Sequence, residues 1–251
     1  MKYCTILAIS LSLLLTCALP LAAQELTAPE ILQKSDAVGM APKDKHSLST
    51  MILIDKDGDQ KERKSEIFER NKKDLRLVRF LSPADQKGIS FLNLPDDKMY
   101  LYLPAFRKIR TIASHVKNES FAGTDFSYDD MSAAGFAEDY TPALRETTDE
   151  FYVLELTPKP ESEKDYSKLT LWVRKDNFFA AKTEYYDKSG NLWKVMEQRK
   201  IEKNGDYWVA MEVEMTDLKT NHRTKVITDS IELDTGMSDE IFTQRNLKKS
   251  E

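Results

Sequence analysis

The hydrophobic pattern changes period once, early in the chain. Thr27-Ala-Pro-Glu-Ile-Leu opens a helix: Thr27 is a capping residue, Pro29 falls in the first turn, and Glu30 stands three positions after the cap. Ile31, Leu32, Ser35 and Val38 recur at helical spacing until Gly39. From Ser47 the period is two. Residues 47–54 alternate Leu48, Thr50, Ile52 and Ile54 against Ser49, Met51 and Leu53. The spacing predicts further strands at 61–70, 75–81, 88–94 and 98–103. A meander follows at 140–146, 151–157, 168–174, 180–186, 192–201, 207–216 and 224–233. Polar turns join them, and Asn204-Gly205 has the strongest hairpin chemistry. Asp55-Lys-Asp-Gly-Asp59 resembles the start of a calcium loop, but no Glu follows at the spacing that loop needs, so a hairpin turn is expected.

Successive antiparallel hairpins without βαβ spacing predict one continuous sheet and a single domain over residues 24–251. Met99, Leu101 and Leu103 face one way and Tyr100 and Tyr102 the other, so both sides of that strand need cover. In the strand 207–215, Tyr207, Val209, Met211, Val213 and Met215 share a face. One short helix cannot cover so wide a sheet. The expected fold is mainly β (α+β): a half-open, curved antiparallel β-barrel of about eleven strands, with helices and loops capping the concave face. Phe91, Met99, Leu101, Val209, Met211, Val213 and Met215 are the candidate lining of an apolar cavity on that face. The methionines suit either irregular core packing or a variable apolar ligand.

Residues 113–138 break the pattern, with one helical turn expected after Ser127. Here Phe121-Ala-Gly-Thr-Asp-Phe-Ser-Tyr-Asp-Asp-Met131 is the candidate cap. Gly123 permits a tight bend, and Asp125 is suited to accept from backbone amides in it or to cap the next turn. Phe121, Phe126 and Tyr128 are candidate gating side chains over the sheet. Just before this stretch, Arg107, Lys108 and Arg110 form a basic cluster. It is either a charged, aggregation-resistant strand edge or a contact for anionic head groups or an acidic partner.

Residues 1–23 stand apart. Lys2, the apolar run 6–15 and the small residues ending at Ala23 form a cleavable signal peptide, too short in its apolar part to span a bilayer. A retained membrane anchor and lipidation at Cys17 are the alternatives, and Thr16 before Cys17 fits a lipobox poorly. Both cysteines, Cys4 and Cys17, lie in this leader, so the exported chain has no disulfide, thiol nucleophile or Cys-ligated zinc. The whole chain carries a net charge of −5, and a mildly acidic chain without a basic domain is not a nucleic-acid binder.

Catalytic chemistry is sparse. His46, His115 and His222 match no metal spacing and are expected on the solvated surface. There is no phosphate loop, nucleophile elbow or His-Glu-x-x-His motif. Asp96-Asp97 and Asp129-Asp130 are adjacent, and neighbours in a strand point to opposite faces. No enzyme, metal or cofactor is expected.

Three runs together resemble a known family: Phe80-Leu-Ser-Pro-Ala-Asp-Gln-Lys-Gly-Ile-Ser-Phe-Leu92, Met99-Tyr-Leu-Tyr-Leu-Pro-Ala-Phe-Arg-Lys-Ile-Arg110 and Gly123-Thr-Asp-Phe-Ser-Tyr-Asp-Asp-Met131. With the ending Asp239-Glu-Ile-Phe-Thr-Gln-Arg-Asn-Leu247, they look like the LolA-like outer membrane lipoprotein-sorting proteins, in their transporter-associated subgroup. The resemblance implies a half-open antiparallel barrel with helices over its mouth. It further implies a monomeric periplasmic carrier that binds lipid or lipoprotein acyl chains and works with an inner-membrane exporter of the RND/MMPL or ABC type. The alternative is a non-enzymatic adaptor or sensor that uses the same fold to bind a membrane transporter or signalling protein.

Overall fold

The computed structural model describes residues 25–132, 135–162 and 164–249, so the leader expected at 1–23, including Cys17, lies outside the described residues. The first element is α1, Ala28–Gly39, capped as its sequence requires. Glu30 accepts from the Thr27 amide at 2.8 Å, while the Thr27 hydroxyl accepts from the Glu30 amide at 3.5 Å. Ile31, Leu32, Ser35 and Asp36 form its buried stripe.

Six strands follow: β1 Lys45–Ile54, β2 Gln60–Arg70, β3 Leu75–Ser82, β4 Ser90–Leu94, β5 Lys98–Leu103 and β6 Lys108–Ile112. Seven more come after a long connection: β7 Tyr140–Thr147, β8 Phe151–Pro158, β9 Lys168–Arg174, β10 Ala180–Tyr186, β11 Leu192–Asn204, β12 Tyr207–Asp217 and β13 His222–Leu233. Among the described residues there are thirteen strands where about eleven were expected. One addition is β6, whose basic residues sit in a paired strand. The turn at 55–59 is a hairpin turn: Asp55 Oδ1 accepts from the amides of Asp57 and Asp59, both at 3.0 Å, and Gly58 takes φ 90°.

All strands join one antiparallel sheet in the order β6-β5-β4-β3-β2-β1-β13-β12-β11-β10-β9-β8-β7. Each half is a chain of hairpins. The one long-range pairing is β1 with β13, which welds the two meanders at mid-sheet, Lys45 opposite Leu233 and Ile54 opposite Arg223. The sheet is curved and open; β6 and β7 are its two free edges.

Because β6 and β7 lie at opposite edges, the connection 113–139 must cross the sheet to join them. This strap carries a short helix, α2 (Tyr128–Ser132), and with α1 it covers the concave face. The larger core lies between them and the sheet: Ile31 and Leu32 from α1, Phe121, Phe126 and Met131 from the strap, and Phe80, Phe91, Leu154, Leu171 and Met215 from the sheet. The convex face of β3 to β6 has its own cover. Met237, Phe242 and Leu247 from the C-terminal tail, the last in α3 (Gln244–Leu247), pack on Leu77, Leu92, Tyr100 and Tyr102. Both faces of β5 are therefore covered, as its two apolar sides require. The tail is set by Asp44, whose carboxylate accepts from the amides of Thr235, Gly236 and Met237 and from the Thr235 hydroxyl.

Candidate functional site

The stretch 120–131 is a small folded unit. Ser120 and Ser127 form an isolated bridge, the Phe121 amide donates to the Phe126 carbonyl at 2.8 Å, and Ala122 and Gly123 turn through φ 49° and 76°. Gly123 occupies the left-handed bend expected of it. Ser127 caps α2 by exchange with Asp130: the Asp130 amide donates to Ser127 Oγ at 3.0 Å and the Ser127 amide donates to the Asp130 carboxylate at 2.8 Å.

Asp125 does something other than cap. Its carboxylate accepts from the Thr224 hydroxyl at 2.6 Å and lies 2.7 Å from His222 Nδ1, while its own amide donates to Thr224 Oγ1 at 3.0 Å. This ties the strap to β13 near the middle of the sheet. His222 is therefore a structural partner and not a solvated surface residue. His46 also departs from that expectation: it stacks on Phe68 at 4.5 Å and lies 3.0 Å from Glu66, whereas His115 is exposed.

Phe121 is fully buried, with Phe80 and Phe91 at 5.6 Å and Tyr128 at 5.8 Å between ring centres. Phe126 is the cap aromatic that reaches the cavity wall. At the far end of the strap, the Asp36 carboxylate of α1 accepts from the amides of Phe136 (2.9 Å) and Ala137 (2.7 Å). A Cβ on Gly135 would sit 2.9 Å from the Asp36 carboxylate, so Gly135 lets the strap approach the helix. Burial pushes Asp36 up and these amides pull it down, with burial the larger effect.

Between α1, the strap and strands β1, β2 and β10–β13 lies a cavity of about 370 Å³. That is within the ~300–1,000 Å³ range typical of small-molecule sites. Of the residues singled out in the sequence, Val209 and Val213 line it. Phe91, Met99 and Met215 are packed into the core under the strap, and Leu101 packs against that core. Met211 is in neither place. It falls at a gap in the β11–β12 pairing, between Arg199–Glu212 and Ile201–Ala210, where Lys200 takes a left-handed backbone (φ 50°), and Trp208, Val209 and Ala210 reach the wall instead. The methionines of the wall are Met51, Met131 and Met196.

Sequence reasoning missed the polar part of this wall. Lys45, Glu69 and Arg76 stand in one row across β1, β2 and β3, since Lys45 pairs with Glu69 and Glu69 with Arg76. Glu69 is ion-paired with Lys45 and, at 2.6 Å, with Arg76; Arg76 also donates to the Met131 carbonyl of the strap at 2.5 Å. The signal was present in the 55–59 turn, which sets the register that places Lys45 beside Glu69. Burial, then the Arg76 guanidinium, push the Lys45 ammonium down to about 7; burial pushes Arg76 down to about 10.

Across the cavity, Lys164 bridges Asp129 (3.2 Å) and Asp139 (2.8 Å), and Asp130 meets Lys194 (3.3 Å) and Tyr166 (3.0 Å). Burial pushes Asp129 up, with Lys164 acting against it. Burial opposes the charge on Lys164, but its two carboxylates outweigh this and raise it. The adjacent acids Asp129 and Asp130 thus have separate cationic partners. Arg107, Lys108 and Arg110 lie exposed at the free edge beside an exposed Phe106. Among the described residues no group of His, Cys, Asp or Glu is arranged to hold a metal, and no helix is long and apolar enough to cross a membrane.

A family model described as "uncharacterized protein", of the DUF1329-like kind, matches residues 72–249. The structure is similar to that of an outer membrane lipoprotein-sorting protein domain from Vibrio parahaemolyticus, with 28% identity, 88% of this chain and 98% of that one covered, and a TM-score of 0.79. The chain belongs to the family of that model and has the LolA-like fold. A DUF1329 family protein from Desulfovibrio piger matches this LolA-like chain with 28% identity, 88% and 97% coverage and a TM-score of 0.81. A LolA superfamily protein from Nitrosomonas europaea, 23% identical over 88% of this chain and 100% of its own, shares the fold at a TM-score of 0.74. No curated protein matches the sequence. The LolA-like fold agrees with the curved, open antiparallel sheet and its few helices.

Proposed function

We propose that this LolA-like protein is a monomeric, non-enzymatic periplasmic carrier. It is exported by the leader at 1–23, holds an acyl chain of a lipid or lipoprotein under the strap, and exchanges it with an inner-membrane exporter of the RND/MMPL or ABC type for transfer toward the outer membrane. The observation that supports this is the roofed cavity itself. Its floor is the sheet, and its roof is seated at one end on the buried Phe121 cluster and tied elsewhere by polar latches, among them Asp36 to the strap and Asp125 to β13. Each buried methylene contributes roughly 0.8 kcal/mol, so a chain held under a closed roof binds well and leaves when the roof lifts.

The test is to purify the protein from cells and analyse its organic extract. Val213→Glu, which puts a carboxylate on the cavity wall, is expected to reduce co-purifying lipid at least about tenfold, since an unpaired buried charge costs several kcal/mol. Absence of lipid from the unaltered protein, together with no uptake of added amphiphile, would sink the carrier reading.

The exposed edge supports a second reading, an adaptor that binds a membrane transporter or signalling protein. Arg107, Lys108 and Arg110 flank Phe106, with Arg110 5.9 Å from its ring, on a strand whose outer side is unpaired. Reversing all three charges to Glu is expected to abolish binding of an acidic partner while lipid content stays the same. Partner capture that survives the reversal counts against this surface.

A further inference from the structure

We propose that the row Lys45–Glu69–Arg76 is the head-group subsite of the cavity, and that the cargo is an amphiphile with a single anionic head, a carboxylate or a phosphate monoester. The inference rests on the carrier reading and specifies its ligand. Two basic groups share one carboxylate here, so at pH 6, where Lys45 keeps its proton and where the binding experiment below is run, the group holds one positive charge in excess. Buried charges are otherwise paired. The donors are also under-used. Among the described residues the Lys45 ammonium, with three N–H groups, meets Glu69 alone, and the Arg76 guanidinium, with five, meets Glu69 and the Met131 carbonyl.

The acids of the same wall are in the opposite condition. Asp36 is filled by the Phe136 and Ala137 amides, Asp129 by Lys164, Asp139 by Lys164 and Ser162, and Asp130 by Ser127, Tyr166 and Lys194. Asp74, near Arg76 on the β2–β3 turn, is engaged by Asn93 and lies outside the cavity wall. Free hydrogen-bonding capacity in the wall is thus concentrated on cations. Lys45 and Arg76 keep 29% and 18% of their side-chain surface accessible while lining the cavity. Next to them the wall is apolar: Ile67 on β2 and Met131 on the strap, with Val209 and Val213 further across. A charged corner beside an apolar chamber fits a head and a tail.

The experiment uses the full exported chain at pH 6 and three probes of equal chain length: dodecanoate, dodecyl phosphate and dodecanol, each displacing a neutral fluorescent amphiphile. A charge-assisted contact is worth about ten- to a hundredfold in affinity, so one or both anions are expected to bind that much more tightly than dodecanol. Preference for dodecanoate alone assigns a fatty-acid head, and preference for the phosphate alone a phospholipid-derived one. Lys45→Met, which leaves Glu69 paired with Arg76, is expected to reduce the ratio of anion to dodecanol affinity to a few-fold; Lys45→Arg is expected to keep that ratio. Equal affinity of all three probes for the unaltered protein overturns the proposal, as does an undiminished ratio in Lys45→Met. Failure of every probe, dodecanol included, overturns the carrier reading itself.

Discussion

Phe121→Ala is expected to destabilise the protein by about 3–5 kcal/mol, the range for truncating a fully buried Phe. Phe121 is inaccessible to solvent and sits among Phe80, Phe91 and Tyr128, with ring centres 5.6 to 5.8 Å away. Neighbouring backbone is pinned, since Arg63 donates to the Ala122 carbonyl at 2.6 Å and Asp125 is tied to β13. The strap therefore cannot sink to fill the space, and most of the cavity term persists. Urea unfolding at constant pH measures the loss. Hydrogen exchange adds the location: amides of 117–131 are expected to exchange faster than those of β8 and β9, because the strap gives up its anchor and the sheet does not. A loss under about 1 kcal/mol would mean that the ring cluster is not what holds the strap.

Glu69→Gln is expected to cost about 3 kcal/mol at pH 6, the lower end of the range for a buried ion pair that loses one partner. The lower end applies because Lys45 keeps access to cavity water. The substitution strands two cations in one corner, and the sign of the pH dependence follows from Lys45. Burial and Arg76 hold its folded pKa at about 7, below the ordinary 10.5, so between these values the unfolded chain binds the extra proton. Stability from this group therefore rises with pH across that window and is flat below it. In the variant Lys45 sheds its proton more readily still, and the gap to the unaltered protein should narrow between pH 6 and pH 9. Urea midpoints at both values check this; an unchanged gap would show that the triad is not electrostatically coupled.

These two residues illustrate different degrees of legibility. Phe121 belongs to a stretch whose Gly, acids and aromatics fit neither strand nor long helix, and that misfit marked it as a cap. Asp125 was marked too, but with the wrong partner: local turn chemistry suggested nearby amides, whereas His222 and Thr224 lie 97 and 99 residues away in sequence. Met211 shares strand parity with Val213, yet it lies off the cavity wall, at a gap in the β11–β12 pairing where Lys200 takes a left-handed backbone. Glu69 falls in the predicted strand 61–70, which is dense in charged residues and gives no local sign of burial. It is buried because it ends β2 beneath the strap, and a strand's charge pattern does not say which neighbour will cover its end.

The local elements are written in the chain: the capping box of α1, the strands with their alternating faces, the hairpin turns, and the need to cover both sides of β5. Each follows from interactions between residues a few positions apart, through backbone period, turn conformation and capping hydrogen bonds. Which face is concave, what crosses it and which charges meet beneath it are settled by the assembled fold. Those depend on the β1–β13 weld and on a strap joining opposite edges of the sheet. Long-range contacts of this kind are chosen by total burial and by the satisfaction of buried polar groups, which no local pattern in the chain encodes.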